Sequence, residues 1–357
     1  MKLHIVSLPH TQVTRAYDRC AFTAKARKLA EMMQRLGHEV VLYAGEDNEV
    51  PGVELVTCIT KEQQAQFGFK TPDDAINLNY DWSEQIWRVW TFTLLAQLSA
   101  RVRTHEVICL PYGLEAARMI SDQFPNNVTV EHGVGYSGIA FNTHCVFDSY
   151  AWRNYVYGMH KMDGRCFDEV IPNYFEVNEF PEPDPQDYYM WCGRLNSRKG
   201  LHIAQKVCEK LGKRLLVVGQ GTLQGYGEHL GTVGPEERGR LMAGAIALFM
   251  PTIYVPPFEK VHVEAMMCGT PAITTDFGAF TETVWNDVNG WRCTMFNDFV
   301  LAAEKAADWT MEQRVALRAQ TQAVYSMDVV ALQYESYFNR LSSLWGDGFY
   351  DERYVSS

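Results

Sequence analysis

The residues best suited to chemistry lie in two short runs of the C-terminal half. In the first, Gly193-Arg194-Leu195-Asn196-Ser197-Arg198-Lys199-Gly200, cations follow an apolar strand-like segment and open a helical one. Guanidinium and ammonium groups beside a helix N-terminus form a clamp for a diphosphate. A solvated basic turn is the competing reading. In the second run, Pro256-Pro257-Phe258-Glu259 leads into Lys260-Val261-His262-Val263-Glu264-Ala265-Met266-Met267-Cys268-Gly269-Thr270-Pro271. A helix leaves its first N–H groups unpaired, so the amides around Phe258, Glu259, Lys260 and Val261 face phosphate or sugar oxygens. Glu264 is placed to accept from both hydroxyls of a ribose, against the alternative of a surface glutamate on an amphipathic helix. Ala265, Met266 and Cys268 are assigned to packing on the sheet. Gly219 and Gly221 close another strand, where absent side chains admit a ligand to the backbone or simply make a turn. A diphosphate clamp, a ribose carboxylate and a wall of amides are what a nucleoside diphosphate sugar demands.

The N-terminal half is less explicit. His132 lies in the glycine-rich run Glu131-His132-Gly133-Val134-Gly135-Tyr136, read as a strand-end turn, where open α/β sheets place ligands. A histidine that merely caps a loop fits almost as well. Tyr136, Tyr150, Trp152, Arg153 and Tyr157 mix aromatic and polar groups and suit an acceptor wall, with interdomain packing as the rival. Arg19 and Thr23 border the loop after the first strand and are further acceptor-side candidates. The stretch from Thr60 to Trp87 reads as a loop that helps select an acceptor. No Asp-x-Asp site falls in a donor loop, and no metal ligand set is assigned.

Positioning these groups requires strands whose ends lie together. Leu3 to Leu8 reads as a buried strand. Phe22, Ala26, Leu29, Ala30, Met33 and Leu36 then share one face of a helix, and Gly37 ends it as a left-handed cap. Val40 to Tyr43 completes a βαβ unit, so the sheet is parallel. The alternation returns at Glu106 to Leu110, Leu114 to Phe124 and Val128 to Val130. Pro181, Pro183 and Pro185, among acidic residues, mark an extended linker between Asn178 and Asp187. Beyond it come strand Tyr188 to Cys192, helix Leu201 to Leu211, strand Arg214 to Val218 and helix Pro235 to Ala245. Strand Leu248 to Pro251, helix Val261 to Cys268 and strand Ala272 to Thr274 follow. The fold class is α/β, with two doubly wound domains. Val330, Tyr334, Tyr337, Phe338, Leu341 and Trp345 line one face of a long closing helix. There is no internal repeat and no low-complexity tract.

Composition narrows the function classes. With 32 Lys and Arg against 43 Asp and Glu, the net charge of −11 disfavours broad attraction to nucleic acid or anionic lipid. The nine cysteines form no CxxC pair and sit mainly in apolar segments, so reduced core thiols are expected. Apolar stretches such as Ala243 to Met250 fall short of the roughly 20 residues that span a bilayer, and the start leads into a strand rather than a cleavable signal. A cytoplasmic protein is the expectation.

A family resemblance rests on five matches in order. These are Val170-Ile171-Pro172-Asn173, the Gly193 to Gly200 turn, Val217-Val218-Gly219-Gln220-Gly221, the Glu264 to Asp276 run and Val288-Asn289-Gly290-Trp291. Over its second domain the chain resembles retaining GT-B glycosyltransferases related to family 4, the glycosyl transferases group 1. The resemblance implies two Rossmann-like domains facing a cleft. Residues 1–180 form the acceptor side, with residues 328–357 crossing back to it as a helix, and residues 187–327 bind the nucleotide sugar. It implies a retaining hexosyl- or pentosyltransferase, metal-independent and without a cofactor beyond its nucleoside diphosphate sugar, UDP or GDP being the first expectation. Arg194 and Lys199 would hold the diphosphate, Gly193 lies in the same turn, Glu264 would hold the ribose, and His132 would stand beside the donor sugar. The acceptor could be a glycan, a lipid, a small molecule or, less readily, a hydroxymethylated DNA base.

Two departures stand out. The family pairs Glu264 with a glutamate eight positions earlier, where this chain has Pro256, and Glu259 takes the place of a usual glycine. The sugar-contacting carboxylate is therefore missing or displaced to Glu259. The Gly-Gly pair often found after strand one is also absent. Two alternatives follow: a non-hydrolysing nucleotide-sugar epimerase, and a sugar-nucleotide-binding protein with impaired catalysis.

Overall fold

The computed structural model describes residues 1–112, 114–140 and 143–346. They divide into two compact units. The first comprises residues 1–147, 164–171 and the chain from Ala331 onward; the second comprises residues 148–163 and 172–330. Residues 148–163 and 172–180, expected in the first domain, thus group with the second, and residues 347–357 lie outside the described residues.

The first unit holds a seven-stranded sheet of β1 (Lys2–Val6), β2 (Glu39–Ala44), β3 (Glu54–Thr57), β4 (Val107–Leu110), β5 (Val128–Val134), β6 (His144–Phe147) and β7 (Glu169–Val170), ordered β3-β2-β1-β4-β5-β6-β7. The second holds β8 (Tyr189–Cys192), β9 (Leu215–Val218), β10 (Glu228–Gly231), β11 (Leu248–Met250), β12 (Ala272–Thr275) and β13 (Gly290–Cys293), ordered β10-β9-β8-β11-β12-β13. Every strand pairing is parallel. Two doubly wound Rossmann-like units result, the architecture of the GT-B fold.

Parallel strands must be covered on both faces, so they read as continuous apolar runs rather than alternating ones. In β8, Met190 and Cys192 pack into one core while Tyr189 and Trp191 pack into the other. The helix Leu201–Leu211 buries Ala204, Val207 and Cys208. The helix Lys260–Met267 covers the opposite face with Val263, Ala265, Met266 and Met267. In the first unit, helix Ala21–Arg35 buries Ala26, Leu29, Ala30 and Met33, and Gly37 follows it at φ +84°.

Several elements depart from the sequence expectation. Thr60 to Trp87 contains a helix, Lys61–Gln66, whose Thr60 and Gln63 form a reciprocal capping box. Gln85–Arg101 is a helix that buries Ile86, Trp87, Trp90, Leu94 and Leu98. The Glu131 to Val134 run is the end of β5, not a turn. The proline segment is extended as expected, but it lies against its own unit, with Asp184 N–H donating to Ala243 O (3.0 Å) and Gln186 N–H to Gly244 O (2.7 Å). The closing helix Met327–Gly346 joins the first unit from Ala331 onward, where Tyr337 donates to Phe167 O at 2.9 Å. All nine cysteines are free, and Cys166 is the exposed one.

In the second unit the strand order reverses between β8 and β11. Ligand crevices of open parallel sheets form at such a switch point, outside the carboxyl ends of the strands. The loops that follow β8 and β11 are residues 193–200 and 251–259, the two runs singled out for chemistry. Ile253 N–H donates to Arg198 O at 2.9 Å, so the loops are stitched to each other. Gly200 sits at φ +68°, and a Cβ there would lie 1.9 Å from Pro251 O. Gly212 has a similar φ of +64° but open space around it. Gly200→Ala should therefore cost about 2–4 kcal/mol in urea unfolding and Gly212→Ala about 1 kcal/mol, the difference reporting the loop contact. Equal losses would refute a steric demand from Pro251.

Candidate functional site

The loop after β8 is built by its own side chains. Asn196 caps a short 3₁₀ turn, Ser197–Lys199, by accepting from Lys199 N–H at 3.2 Å. Trp191 donates to Lys199 O at 3.3 Å. Lys199 is thus aimed from a fixed backbone, while Arg194 and Arg198 stay exposed. The Lys199 ammonium lies 2.6 Å from each carboxylate oxygen of Glu259. Tyr254 donates its hydroxyl to the same carboxylate, and its ring lies beneath Arg198 at 4.7 Å and Lys199 at 5.2 Å. Burial, with Glu259 beside it, pushes the Tyr254 hydroxyl above its ordinary range, so it remains a donor.

Glu259 caps the helix Lys260–Met267 in the left-handed region, at φ +64° and ψ +73°. His262 holds that geometry. Burial pushes its imidazole down to about 4, and the neutral ring donates from Nδ1 to Glu259 O (2.6 Å) while Nε2 meets Thr283 Oγ1 (2.8 Å). Glu264 stands one turn further on, its side chain 13% exposed, with Arg238 at 3.2 Å. The Glu264 charge in turn holds the Arg238 guanidinium further toward its charged form. Phe258 is a core side chain, 2% exposed, and half-buried Val261 packs on the same core, so both could meet a ligand mainly through their amides.

By sequence, Gly219 and Gly221 either admit a ligand to the backbone or make a plain turn. The space beside them is taken by the neighbouring loop: a Cβ on Gly219 would lie 1.8 Å from Gly193 O, and one on Gly221 2.7 Å from Leu195 Cβ. Leu195 N–H donates to Gln220 O at 2.9 Å, closing that contact. Glu282 caps helix Tyr150–His160, accepting from Tyr150 N–H (2.9 Å) and Ala151 N–H (2.6 Å). Pro256 is buried, with its ring against Gly278, where a Cβ would lie 2.3 Å from Pro256 Cδ.

In the first unit, His132 lies on β5 where the register with β6 breaks between Glu131 and Val134. Gly133 takes φ +64°, and Lys25 donates to its carbonyl. His132 is fully buried, and neither ring nitrogen has a hydrogen-bond partner in the structure. Buried Glu131 accepts from Tyr136 hydroxyl (2.7 Å), Ala140 N–H (2.8 Å) and Thr143 hydroxyl (2.8 Å), and burial still raises its pKa.

The acceptor-side candidates are dispersed. The Tyr136 hydroxyl is engaged by Glu131, and the Thr23 hydroxyl by Thr11 at 2.7 Å inside the core. Arg19 pairs with Asp73 in solvent. Tyr150 and Arg153 belong to the second unit, with the Arg153 guanidinium 5.0 Å from the Tyr150 ring. Arg238, Tyr254 and His262 were missed as site residues; each acts through a partner that no local spacing announces. Among the described residues no group of three or more His, Cys, Asp and Glu side chains could hold a metal, and no helix is long and apolar enough to cross a membrane.

The two buried histidines make a pH prediction. Burial, with Lys25 nearby, pushes His132 down to about 3, and His262 stands near 4, against an ordinary value near 6.5. The folded state binds fewer protons than the unfolded chain below pH 6.5, so stability is lost as pH falls through that window. His132→Gln and His262→Gln should each flatten the slope between pH 6.5 and 4.5 by up to about 1.4 kcal/mol per pH unit. Unchanged slopes in urea unfolding series would contradict neutral burial.

Comparison with known proteins bears on the second unit and on the fold. Residues 186–311 match the family model described as glycosyl transferases group 1. An uncharacterized glycosyltransferase of Methanocaldococcus jannaschii is 27% identical over 124 residues, 30% of this chain and 32% of that protein. The match thus spans about a third of the length of that curated relative. Among solved structures, sucrose-phosphate synthase of Thermosynechococcus elongatus aligns with TM-score 0.70 at 16% identity, covering 96% of this chain and 99% of its own. A glycosyltransferase involved in avilamycin A biosynthesis aligns at 0.65 and 18%, covering 96% and 98%. HepE of Anabaena, in complex with UDP-glucose, aligns at 0.63 and 16%, covering 96% and 100%. At these identities the structures speak for the fold. Residues 186–311 thus carry the match to the glycosyl transferases group 1 model, on a framework with the GT-B architecture.

Proposed function

We propose that the chain transfers a hexosyl or pentosyl group from a nucleoside diphosphate sugar to an acceptor hydroxyl, with retention of anomeric configuration. The observation that carries the reading is positional. Arg194 and Lys199 follow β8, Glu264 stands on the helix that follows β11, and these are the strands that flank the switch point of the family-matched domain. Arg194 and Lys199 would stabilise the departing diphosphate, an electrostatic contribution that grows as the glycosidic bond to phosphate breaks. Glu264, steadied by Arg238, would accept from the ribose hydroxyls. His132, buried and neutral with two unengaged ring nitrogens, suits hydrogen bonding to a donor sugar rather than charge compensation.

UDP is the first nucleotide to test, because HepE of Anabaena is in complex with UDP-glucose; GDP is the second. The acceptor would be drawn from glycans, lipids, small molecules or hydroxymethylated DNA bases. Nine free cysteines fit a reducing cytoplasm. One observation favours a second reading, a binding protein that no longer transfers: Pro256 removes the carboxylate expected eight positions before Glu264.

A thermal-shift screen against UDP-, GDP-, ADP- and dTDP-sugars tests the donor site. At least one should raise the midpoint, and Arg194→Ala should weaken its binding tenfold or more, the loss of about one charge-assisted contact. If no donor shifts the wild type, the reading fails. Donor turnover without acceptor would indicate an epimerase, and binding without transfer to any acceptor pool would select the second reading.

A further inference from the structure

The four side chains Arg198, Lys199, Tyr254 and Glu259 form one cluster at the switch point, and its geometry raises a question about Lys199. An ammonium with both oxygens of one carboxylate at 2.6 Å has directed its hydrogen bonds and its charge at that group. Both partners are well covered, the Lys199 side chain at 16% exposure and Glu259 at 9%, so water weakens the pair little. A carboxylate bound in this way presents to Lys199 what two oxygens of a phosphate would present.

The backbone under Glu259 gives a second, independent observation. A non-glycine residue at φ +64° carries strain of about 1–2 kcal/mol, and such outliers gather where a side chain must be held for function. Here the strain is held in place by the His262 bond to Glu259 O and by the helix that begins at Lys260. The carboxylate does not cap that helix, since none of its oxygens accepts from the first-turn amides. It reaches away from its own helix to the lysine of the other loop.

We propose that Glu259 is an internal anion that holds the Lys199 ammonium until a donor binds, and that it is exchanged for the donor diphosphate, which makes Glu259 a determinant of donor affinity. This rests on the reading of Lys199 as a diphosphate ligand. Exchange leaves Lys199 paired with an anion both before and after the donor binds. It does not strand the carboxylate. Tyr254, a hydroxyl donor already bonded to Glu259, can retain it after Lys199 has turned to phosphate. The Tyr254 ring also lies under both cations, so it keeps Arg198 and Lys199 near each other while the anions change places.

The test uses the full chain, with UDP and inorganic pyrophosphate as probes, titrated by calorimetry. Glu259→Gln keeps the shape and removes the charge. Glu259→Gly removes both the charge and the left-handed strain, and guards against a folding defect in the first variant. Both should bind UDP and pyrophosphate about tenfold tighter than wild type, the scale of one part-buried ion pair no longer competing. Both should also show a steeper loss of affinity with added salt, since the probe then meets an uncompensated ammonium. Lys199→Ala should weaken the probes in the wild-type and in the Glu259→Gln backgrounds. If Lys199→Ala weakens binding while both Glu259 variants bind equally or more weakly, the carboxylate does not compete with the donor and the exchange is refuted with the donor site intact. If Lys199→Ala leaves UDP and pyrophosphate binding unchanged, the donor-site reading itself falls.

Discussion

Parallel strand pairing is the constraint from which the site follows. Parallel neighbours need covered crossovers, so helices coat both faces of each sheet and every strand delivers its C-terminal end to the same edge. In the second unit, winding outward in both directions from β8 and β11 leaves those two strand ends adjacent. Residues about 60 positions apart, Lys199 and Glu259, are thereby brought into contact distance. The glycines of these loops answer to the same crowding. Gly193 and Gly219 meet backbone to backbone, and Gly200 meets Pro251 O. Their lack of side chains fixes the separation of the loops, and any ligand chemistry is then done by the residues between them.

A cluster of cations at a strand edge is costly without counter-charge, and this chain supplies that charge from its own side chains. Lys199 has Glu259, Arg238 has Glu264, and Arg292 has Asp276 at 3.2 Å. Two of these pairs involve the groups read as donor ligands. If these groups take a ligand as proposed, binding would rearrange existing ion pairs rather than create new ones. In the first unit the polar groups are treated differently. His132 and Glu131 are taken out of water on adjacent positions of β5, one neutral without hydrogen-bond partners and the other ringed by three donors. A strand that breaks register at that point can turn consecutive side chains into different surroundings.

The sequence was most legible where periodicity was strong. Helix Leu201–Leu211 and the strands β8, β9 and β12 could be read to within a residue or two, because buried parallel strands are apolar throughout and the helices on them are amphipathic. Helix Gln85–Arg101 escaped notice because its aromatic and aliphatic residues encircle it: Trp87 and Trp90 are buried, whereas Phe92 is 80% exposed. β10 and β13 lie at sheet edges and carry glycines and polar residues, so they show little β pattern. The glycines of Glu131 to Gly135 suggested a turn, yet Gly133 serves a bulge inside a strand and gives room to Lys25. The donor motifs were legible as residues but not as pairs. Nothing in local spacing joins Arg238 to Glu264 or Tyr254 to Glu259, since those partnerships exist only once the sheet is wound.

The loop after β11 shows how the departure from the family pattern can be physically consistent. Position 256 is buried against Gly278, a backbone contact that a flat, rigid pyrrolidine ring fills. A carboxylate at that place would need polar partners that a contact with Gly278 does not offer. Three residues later the chain carries Glu259 in a conformation that glycine would adopt without strain. The loop therefore carries its carboxylate on the side facing Lys199, while its buried proline faces Gly278. Burial of Pro256 and the left-handed backbone of Glu259 act together, since the one closes the loop against Gly278 and the other turns its negative charge toward Lys199.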